Sequence, residues 1–323
     1  MLEYSVIIRT TGKAKEKYKK LLQSISNLQP KPKDIIVVLP EGCDLPKNQL
    51  GNEHFFFCAK GMVIQRLYGL QQCRTPYALF TDDDISFPSD FVQKLAIPLL
   101  SDEYGFSAGP LTSFFPRKGL QTLFSILTGN AVPTVFHKGR YNGVLHTTGY
   151  SFDRNIETSK HMIYETQSAP WTCFFANVEK FRSIHFEDEL WLDRSGYSYH
   201  DDTVMFYKAW LRGIKSVIVS DAIYEHLDAR TSTYKNKTNT YYGIGFNSIV
   251  FWHRFLQGNT MQEQLWSRFC IHYRITSQKG YNMLNLLRKQ ITRQEKNAFS
   301  TGVSEGWKWI NSLEYKNIPN IFR

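Results

Sequence analysis

A strand, a helix and a second strand follow one another in residues 5–42, which read SVIIRTTGKAKEKYKKLLQSISNLQPKPKDIIVVLPEG. Residues 4–8 are rich in β-branched side chains, residues 13–28 carry apolar residues at helical spacing, and residues 34–39 are continuously apolar. Strands that are apolar throughout are typical of parallel sheets covered by helices on both faces. The opening of the chain therefore predicts an α/β fold.

The same alternation continues along the chain. Its pattern predicts strands at residues 54–57, 77–81, 171–176 and 216–219, and helices at 61–73, 88–100 and 203–212. Residues 101–170 are less regular, and their short strands predict antiparallel pairs. We therefore expect a mixed, mostly parallel central sheet flanked by helices, with a C-terminal helical extension. Residues 10–12 after the first strand do not begin G-x-G-x-x-G, which argues against a dinucleotide dehydrogenase.

Composition and charge narrow the class of protein. The 323 residues are 42% hydrophobic, which suits a packed core and excludes a disordered or collagen-like chain. The formal charge of +10 favours polyanionic partners such as nucleic acid, nucleotide phosphates or an anionic membrane. Residues 253–323 hold 11 Lys and Arg against 4 Asp and Glu. The character changes near residue 231, so we predict one α/β domain at 1–231 and a basic, aromatic, helical extension at 232–323.

The cysteines and the N-terminus bear on the compartment. The five cysteines are widely spaced and include no C-x-x-C pair, which argues against a disulfide framework or a cysteine-built zinc site and favours a reducing compartment. The first residues lack the apolar core of a signal peptide, and no stretch approaches the ~18 apolar residues of a spanning helix. We expect a cytoplasmic protein that is soluble or peripheral at the inner membrane face.

Three consecutive carboxylates follow the strand at 77–81, in the segment LFTDDDISFP at residues 79–88. In an open α/β sheet, ligands collect at the carboxyl ends of the strands, where Asp82, Asp83 and Asp84 would lie. Carboxylate oxygens suit a hard divalent cation. The alternative interpretation is that the three are solvated turn residues before a helix.

A second acidic pair lies in YSYHDDTVMFYKAWLRG, residues 197–213. Asp201 and Asp202 stand at the start of a predicted amphipathic helix, where aspartate is a favoured N-cap. The functional interpretation is that one of the two is a general base directed into the cleft that holds the acidic triplet. The spacing alone does not choose between these interpretations.

The third feature is the segment after the strand at 216–219. His226 is a residue type that ligates metals, although a lone histidine is more often a packed or surface residue. Arg230 and the hydroxyl groups after it offer donors to phosphate oxygens. Each of these three features is weak evidence for a functional site by itself, and their order along the chain strengthens that evidence.

That order resembles the GT-A-fold inverting glycosyltransferases of family 2, over about residues 4–232. The opening strand–helix–strand, the arginine-containing helix GMVIQRLYGL, the D-x-D-like TDDDISFP and the segment HDDTVMFYKAWLRG carry the resemblance. The resemblance implies the role of each site residue. Thr10 and Glu41 would lie near the nucleotide base, Arg66, Asp82 and Asp83 would bind the donor, Asp84 and His226 would hold the metal, and Asp202 would be the catalytic base. The family's usual pair is Glu-Asp, so Asp201 remains an alternative base.

The implied activity is metal-dependent, inverting transfer of a sugar from a nucleotide diphosphate sugar. The cofactor would be Mn²⁺ or Mg²⁺, and the acceptor a hydroxyl of a glycan or a lipid-linked molecule, in surface polysaccharide synthesis. The first alternative is a nucleotidyltransferase or another metal-dependent phosphoryl-transfer enzyme, although the chain lacks a glycine-rich phosphate loop. The second is a basic nucleic-acid-binding module, which leaves the acidic triplet unexplained, so no nucleic acid is expected.

Aromatic residues suggest where the acceptor would bind. Trp171, Trp191, Tyr197 and Tyr199 lie in the region expected to face it, at residues 110–200. Trp171 lies in the apolar run WTCFFA, so we expect it to pack in the core. Trp191 lies in the acidic segment EDELWLD, so we expect it to be exposed. The basic aromatic tail either lies on an anionic membrane that carries a lipid-linked acceptor or caps the catalytic domain.

Overall fold

The computed structural model of the chain describes residues 2–115, 123, 139–144, 155–228 and 237–321. Eight strands form the central sheet: β1 (Tyr4–Arg9), β2 (Asp34–Pro40), β3 (Glu53–Cys58), β4 (Tyr77–Asp82), β6 (Tyr104–Ala108), β7 (Ile163–Thr166), β8 (Cys173–Asn177) and β9 (Lys215–Val219). Two short strands, β5 (Ile85–Ser86) and β10 (Glu225–His226), form a separate antiparallel pair.

The order of strands in the central sheet is β3-β2-β1-β4-β8-β6-β9-β7. Strands β1 to β4 are parallel neighbours, β6 is parallel to β9, and β7 and β8 run against their neighbours. Six of the eight strands therefore run in one direction, and the expected mixed, mostly parallel sheet is confirmed.

Helices cover both faces of the sheet. The α-helices whose bounds lie within the described ranges are α1 (Glu16–Asn27), α2 (Met62–Gln72), α3 (Phe91–Leu100), α4 (Val178–Ser183), α5 (Asp201–Leu211), α6 (Lys237–Phe255), α7 (Met261–Leu287), α8 (Arg293–Trp309) and α9 (Leu313–Lys316). Short 3₁₀ segments lie at Thr112–Phe114 and Phe186–Ser195.

Successive side chains of a strand point to opposite faces of the sheet, so the apolar side chains of each strand are divided between two cores. Along β1, Val6 and Ile8 pack in a core with α1 and α3, and Ile7 packs in the opposite core with α2. Gly69 lets α2 approach the sheet closely, because a Cβ there would lie 2.4 Å from Ile7 Cγ2. This contact sets the distance between α2 and the face of the sheet.

The C-terminal helices share the second core. Buried Phe246, Ile249 and Trp252 of α6 belong to the same apolar cluster as Phe174 of β8. Helices α6 and α8 touch through glycine, since a Cβ at Gly302 would lie 2.1 Å from the Tyr242 carbonyl oxygen. The expected helical extension is confirmed. The boundary at residue 231 falls among residues 229–236, outside the described ranges, and the division into two domains stays a prediction.

Two local expectations are wrong. Helix α3 begins at Phe91 rather than at Pro88, because the Phe91 N–H donates to the Pro88 carbonyl (3.2 Å) in a turn that precedes the helix. Trp191 is buried rather than exposed. Its Nε1 donates to Glu189 (2.7 Å), and its ring packs near Trp309 of α8. The predicted core position of Trp171 is confirmed.

Candidate active site

The carboxyl ends of β1 and β4 place their polar residues side by side. The parallel register pairs Arg9 of β1 with Asp82 of β4, and Thr10 and Asp83 follow directly. Asp82, Asp83 and Asp84 are each 6–7% exposed. Asp83 and Asp84 lie in the turn between β4 and β5, but the interpretation of the three as solvated residues is wrong. Three adjacent buried carboxyls need partners.

Two arginines hold Asp82. Arg66 Nη2 donates to Asp82 Oδ1 at 2.7 Å and Arg9 Nε donates to the same oxygen at 3.0 Å. Burial lowers the pKa of Arg66 to about 10, with Asp82 opposing the shift, so the guanidinium stays charged at neutral pH. Burial also acts to lower the pKa of Arg9, but Asp82 outweighs it and raises that pKa above its ordinary value. The two guanidinium groups compensate the charge of Asp82.

Arg66 is fixed on three sides besides this ion pair. Its Nη1 donates to the Met62 carbonyl (2.9 Å) in α2, and its Nη2 donates to the Trp171 carbonyl (3.1 Å). The guanidinium carbon lies 4.6 Å from the centroid of the Trp171 ring, a cation–π distance. Trp171 thus belongs to the core and supports the site at the same time.

Thr10 and Asp83 are joined directly. Thr10 Oγ1 donates to Asp83 Oδ2 at 2.6 Å and accepts from the Gly12 N–H at 2.9 Å. Burial raises the pKa of Asp83 to about 6, and the Thr10 hydrogen bond opposes that rise. The sequence assigned both residues to donor binding, and the structure places them within one hydrogen bond of each other.

Asp84 and His226, far apart in the sequence, meet at the β5–β10 pair. His226 pairs with Ile85 across the two strands, and the Leu227 N–H donates to the Asp84 carbonyl at 2.8 Å. His226 Nε2 lies 3.3 Å from Asp84 Oδ1. Burial acts to lower the pKa of His226, but the hydrogen bond and charge of Asp84 raise it overall. Lys17 at the start of α1 donates to the Leu227 carbonyl and holds this segment against the sheet.

This pair of side chains fits a divalent cation only in part. Among the residues the structure describes, no group of three or more His, Cys, Asp or Glu is arranged to hold a metal ion. Asp84 and His226 offer one carboxylate and one imidazole. Mg²⁺-type ions commonly take one or two protein carboxylates and complete their shell with water and substrate phosphates. The donor set is thus compatible with a cation that a diphosphate helps to bind.

Asp201 and Asp202 open α5, but neither is its N-cap. That position is His200, in the left-handed region at φ 74°, with no side-chain capping bond. The N-cap interpretation of the pair is therefore wrong, although both carboxyls lie in the first turn of α5, where the helix dipole favours acidic residues. Asp201 Oδ1 accepts from the Asp202 N–H (2.9 Å), and Asp202 Oδ1 accepts from the Thr203 N–H (2.7 Å).

The environment of Asp201 links α5 to the acidic triplet. Its Oδ2 is buried and accepts no hydrogen bond from the residues that the structure describes. Burial and the Asp202 charge raise the pKa of Asp201, and Arg66 partly offsets them. Asp82 also raises the pKa of Asp201, so the start of α5 lies within electrostatic reach of the Arg66–Asp82 ion pair.

The remaining predicted residues are placed as follows. Glu41 is exposed at the carboxyl end of β2, where its N–H donates to the Cys58 carbonyl (2.8 Å). Glu41 lies on the same sheet edge as Thr10, because β1 and β2 are parallel neighbours. Arg230 lies outside the described residues. A groove of about 610 Å³ is lined by His226 and Glu225 of β10, by the polar residues Ser86, Thr112 and Ser113, and by the apolar or aromatic residues Phe87, Pro88, Ile223 and Tyr224.

Sequence reasoning missed three supporting residues. Arg9 is one, although a charged residue at the end of an apolar strand is a detectable signal. Gln65 is another, since its Nε2 donates to the carbonyls of Thr10 (3.1 Å) and Val38 (3.0 Å). Asp193 is the third, and its carboxylate accepts the first free N–H groups of α2, at Met62, Val63 and Ile64.

No protein-family model and no curated protein matches this chain. Solved structures that resemble it include GalNAc-T7 with UDP, GalNAc and Mn²⁺, at 12% identity and TM-score 0.48 over 84% of this chain. This chain spans about half, 54%, of that GalNAc-T7 chain. S. aureus TarS 1–349 is similar at 12% identity and TM-score 0.49, covering 96% of this chain and 81% of TarS. The structure of TarS 1–349 in complex with UDP-GlcNAc is similar at 13% identity and TM-score 0.49, covering 94% of this chain and 80% of that one. At such identities the roles of the site residues rest on their own geometry.

Proposed function

We propose that the protein is a metal-dependent, inverting glycosyltransferase that moves a sugar from a nucleotide diphosphate sugar to a hydroxyl of a glycan or lipid-linked acceptor, in surface polysaccharide synthesis. One observation carries the proposal. Buried carboxyls at the end of β4 contact two arginines and His226 of β10, and Asp201 at the start of α5 lies within electrostatic reach of the Arg66–Asp82 ion pair. Open α/β sheets bind their ligands at this edge.

The donor would bind across the ends of β1, β2 and β4. Thr10 and Glu41 lie at this edge on the side of β2, where the nucleotide base would be held. Both arginines contact Oδ1 of Asp82, and its other carboxylate oxygen, Oδ2, would accept from a donor hydroxyl. The ion pairs with Arg9 and Arg66 hold the Asp82 side chain in place, so it would orient a ribose or sugar without reorganising.

Asp84 and His226 would hold the divalent cation, Mn²⁺ or Mg²⁺. Bound there, the cation would act as a Lewis acid on the charge that develops on the departing diphosphate. Asp84 is fixed for this role by the hydrogen bond from the Leu227 N–H to its carbonyl. Arg230, four residues beyond His226, would add a bidentate contact to phosphate oxygens.

Asp202 would accept the proton of the attacking hydroxyl on a carboxylate oxygen. The raised pKa of Asp201 favours its neutral form, whereas a general base must be ionised to accept a proton, and this favours Asp202 for the role. General-base catalysis of this kind contributes ~10²–10⁴-fold in rate. A single base on the face opposite the diphosphate requires inversion at the anomeric carbon. Asp201 is the alternative base, and substitution of each residue distinguishes the two.

The test is incubation of the protein with a panel of nucleotide sugars and Mn²⁺, with the products separated by anion-exchange chromatography. We expect slow release of a nucleoside diphosphate from one donor, accelerated by its acceptor and absent in Asp202→Asn. The anomeric configuration of the product, read by NMR, should be opposite to that of the donor. Release of pyrophosphate instead would establish nucleotidyl transfer and overturn the proposal.

A further inference from the structure

The outward face of helix α7 is apolar. Of the 20 large hydrophobic side chains that are exposed among the described residues, nine lie on this one helix. They are Met261, Leu265, Trp266, Phe269, Tyr273, Tyr281, Met283, Leu284 and Leu287. Leu265, Phe269 and Leu287 are 58%, 59% and 69% exposed. A set of this size on one element departs from the scattered single apolar residues that are normal on protein surfaces.

The spacing places five of these nine side chains in one row, which we call the stripe, and Thr276 and Gly280 occupy the positions between its two ends. Positions 265, 269, 273, 276, 280, 284 and 287 are three or four residues apart, and they hold Leu, Phe, Tyr, Thr, Gly, Leu and Leu. The opposite face is buried against the protein through Ser267, Ile271 and Ile275. A surface helix that packs by one face normally presents polar residues on the other. The outer stripe of α7 therefore needs a cover of its own.

Basic side chains flank the stripe. Arg268 and Lys279 are exposed and eleven residues apart, which is three helical turns, so they lie on the same edge of α7. Arg288 and Lys289 follow at its C-terminal end and are also exposed. Glu263 is the only acidic residue in α7. Leu, Phe and Trp bordered by Lys and Arg are typical of helices that lie in a lipid headgroup layer.

We propose that this face of α7 binds the surface of an anionic phospholipid bilayer, with the helix parallel to the membrane and the stripe inserted among the headgroups. The charge of the flanking residues complements anionic lipid, whereas it would repel an identical face of a second copy. The helix lies on the membrane and does not cross it. In the described ranges, none of the helices has the length and apolar character that spanning requires.

The bilayer would then lie close to the candidate active site. On the inner side of α7, Arg274 Nη2 lies 3.5 Å from the hydroxyl oxygen of Tyr199. Tyr199 is two residues before Asp201 at the start of α5. The thickness of one helix, about 10 Å, separates the lipid surface from that segment. Membrane binding by α7 does not depend on the proposed sugar transfer.

Vesicle flotation of the full chain tests the proposal without any activity measurement. The probes are vesicles of phosphatidylcholine alone and of phosphatidylcholine with phosphatidylglycerol. We expect binding to the anionic vesicles that weakens with salt. Leu265→Gln/Phe269→Gln should lower the partition coefficient at least about tenfold. Arg268→Gln and Lys279→Gln should each lower it about fivefold on anionic vesicles. Leu100→Gln, at a residue 61% exposed on α3, is the matched control and should bind as wild type.

Two results would overturn the proposal. One is equal recovery of wild type and Leu265→Gln/Phe269→Gln with the vesicles. The other is a stable dimer in sedimentation velocity without lipid that the double substitution dissociates, because a second copy would then cover the stripe. Far-ultraviolet circular dichroism of each variant verifies that α7 remains folded. A blue shift of the tryptophan fluorescence when anionic vesicles are added, lost specifically in Trp266→Phe, would support insertion of this face of α7 independently.

Discussion

Arg66 Nη2 lies 2.7 Å from Asp82 Oδ1 and joins the middle of helix α2 to the end of strand β4. Both side chains are almost entirely buried, at 2% and 8% exposed. The register of β1 and β4 adds Arg9 to the same oxygen. These two ion pairs share Asp82 and fix the end of β4 just before Asp83 and Asp84. The geometry of the candidate site therefore depends on them.

Removing Arg66 should destabilise the fold. We expect Arg66→Met to lower the free energy of unfolding by about 3 kcal/mol, because it leaves a buried carboxylate with only Arg9 as a charged partner. Urea denaturation monitored by tryptophan fluorescence measures the change. Arg74→Met, at an exposed arginine just beyond the same helix, is the control and should change stability by less than about 0.5 kcal/mol. Equal effects of the two substitutions would contradict a stabilising ion pair.

Local sequence patterns were sufficient for much of the fold. The strands and helices of the first hundred residues were predicted because apolar runs and helical spacing act locally, and the edge of a parallel sheet indicated where Asp82–Asp84 would lie. The partners of those carboxyls could not be found in this way. Arg9 meets Asp82 only through the β1–β4 register, and Trp191 is buried only because α8 folds back over it.

The cap of α2 shows the same limitation. Asp193 accepts from the N–H groups of Met62, Val63 and Ile64, about 130 residues earlier in the sequence, and from the nearby Ser198 hydroxyl (2.6 Å). We expect Asp193→Ala to cost about 2 kcal/mol of unfolding free energy, as loss of a strong N-cap does. Glu187→Ala, at an exposed acid in the same 3₁₀ segment, is the matched control in thermal and urea unfolding.

Gly61→Ala tests the cap from the other side. A Cβ at Gly61 would lie 2.3 Å from Asp193 Oδ2, so the methyl group should displace the carboxylate and destabilise the protein as Asp193→Ala does. In the double variant the two effects should not add, because they remove the same interaction. Full additivity would show that Gly61 has a different role.

The pH dependence of stability should report on Asp201. Burial and Asp202 raise its pKa in the folded state, whereas in the unfolded chain it titrates near 4. Between pH 4 and the folded-state pKa, Asp201 is therefore ionised in the unfolded chain but protonated in the folded protein. The free energy of unfolding consequently falls as the pH rises through this range. Asp201→Asn should remove this fall, so its advantage over wild type should grow from pH 5 to pH 8. Urea titrations at four pH values measure it, with the exposed Asp44→Asn as control. Parallel pH curves for wild type and Asp201→Asn would contradict the raised pKa.

The two carboxyls of α5 should differ in their effect on turnover. Asp202→Asn should lower kcat by ~10²–10⁴-fold with little change in the KM of the donor, because the base acts only as the hydroxyl attacks. Asp201→Asn keeps the oxygen that accepts from the Asp202 N–H and should retain most of the activity. Steady-state kinetics on the donor found in the panel measures both. The reverse pattern would make Asp201 the base.

The contact between Asp84 and His226 should be needed for metal-dependent binding of the leaving group. We expect Mn²⁺ to increase the affinity for the nucleoside diphosphate product in wild type, and Asp84→Asn and His226→Gln each to remove that increase, since each deletes one of two protein ligands. Isothermal titration calorimetry with and without Mn²⁺ measures the affinities. His161 and Asp221 provide the matched control, because they form another His–Asp contact (2.8 Å) at the β7–β9 side of the sheet. His161→Gln should leave the Mn²⁺ effect intact. If His226→Gln still responds to Mn²⁺ as wild type does, the imidazole pairs with Asp84 for structural reasons alone, and the cation must be held elsewhere.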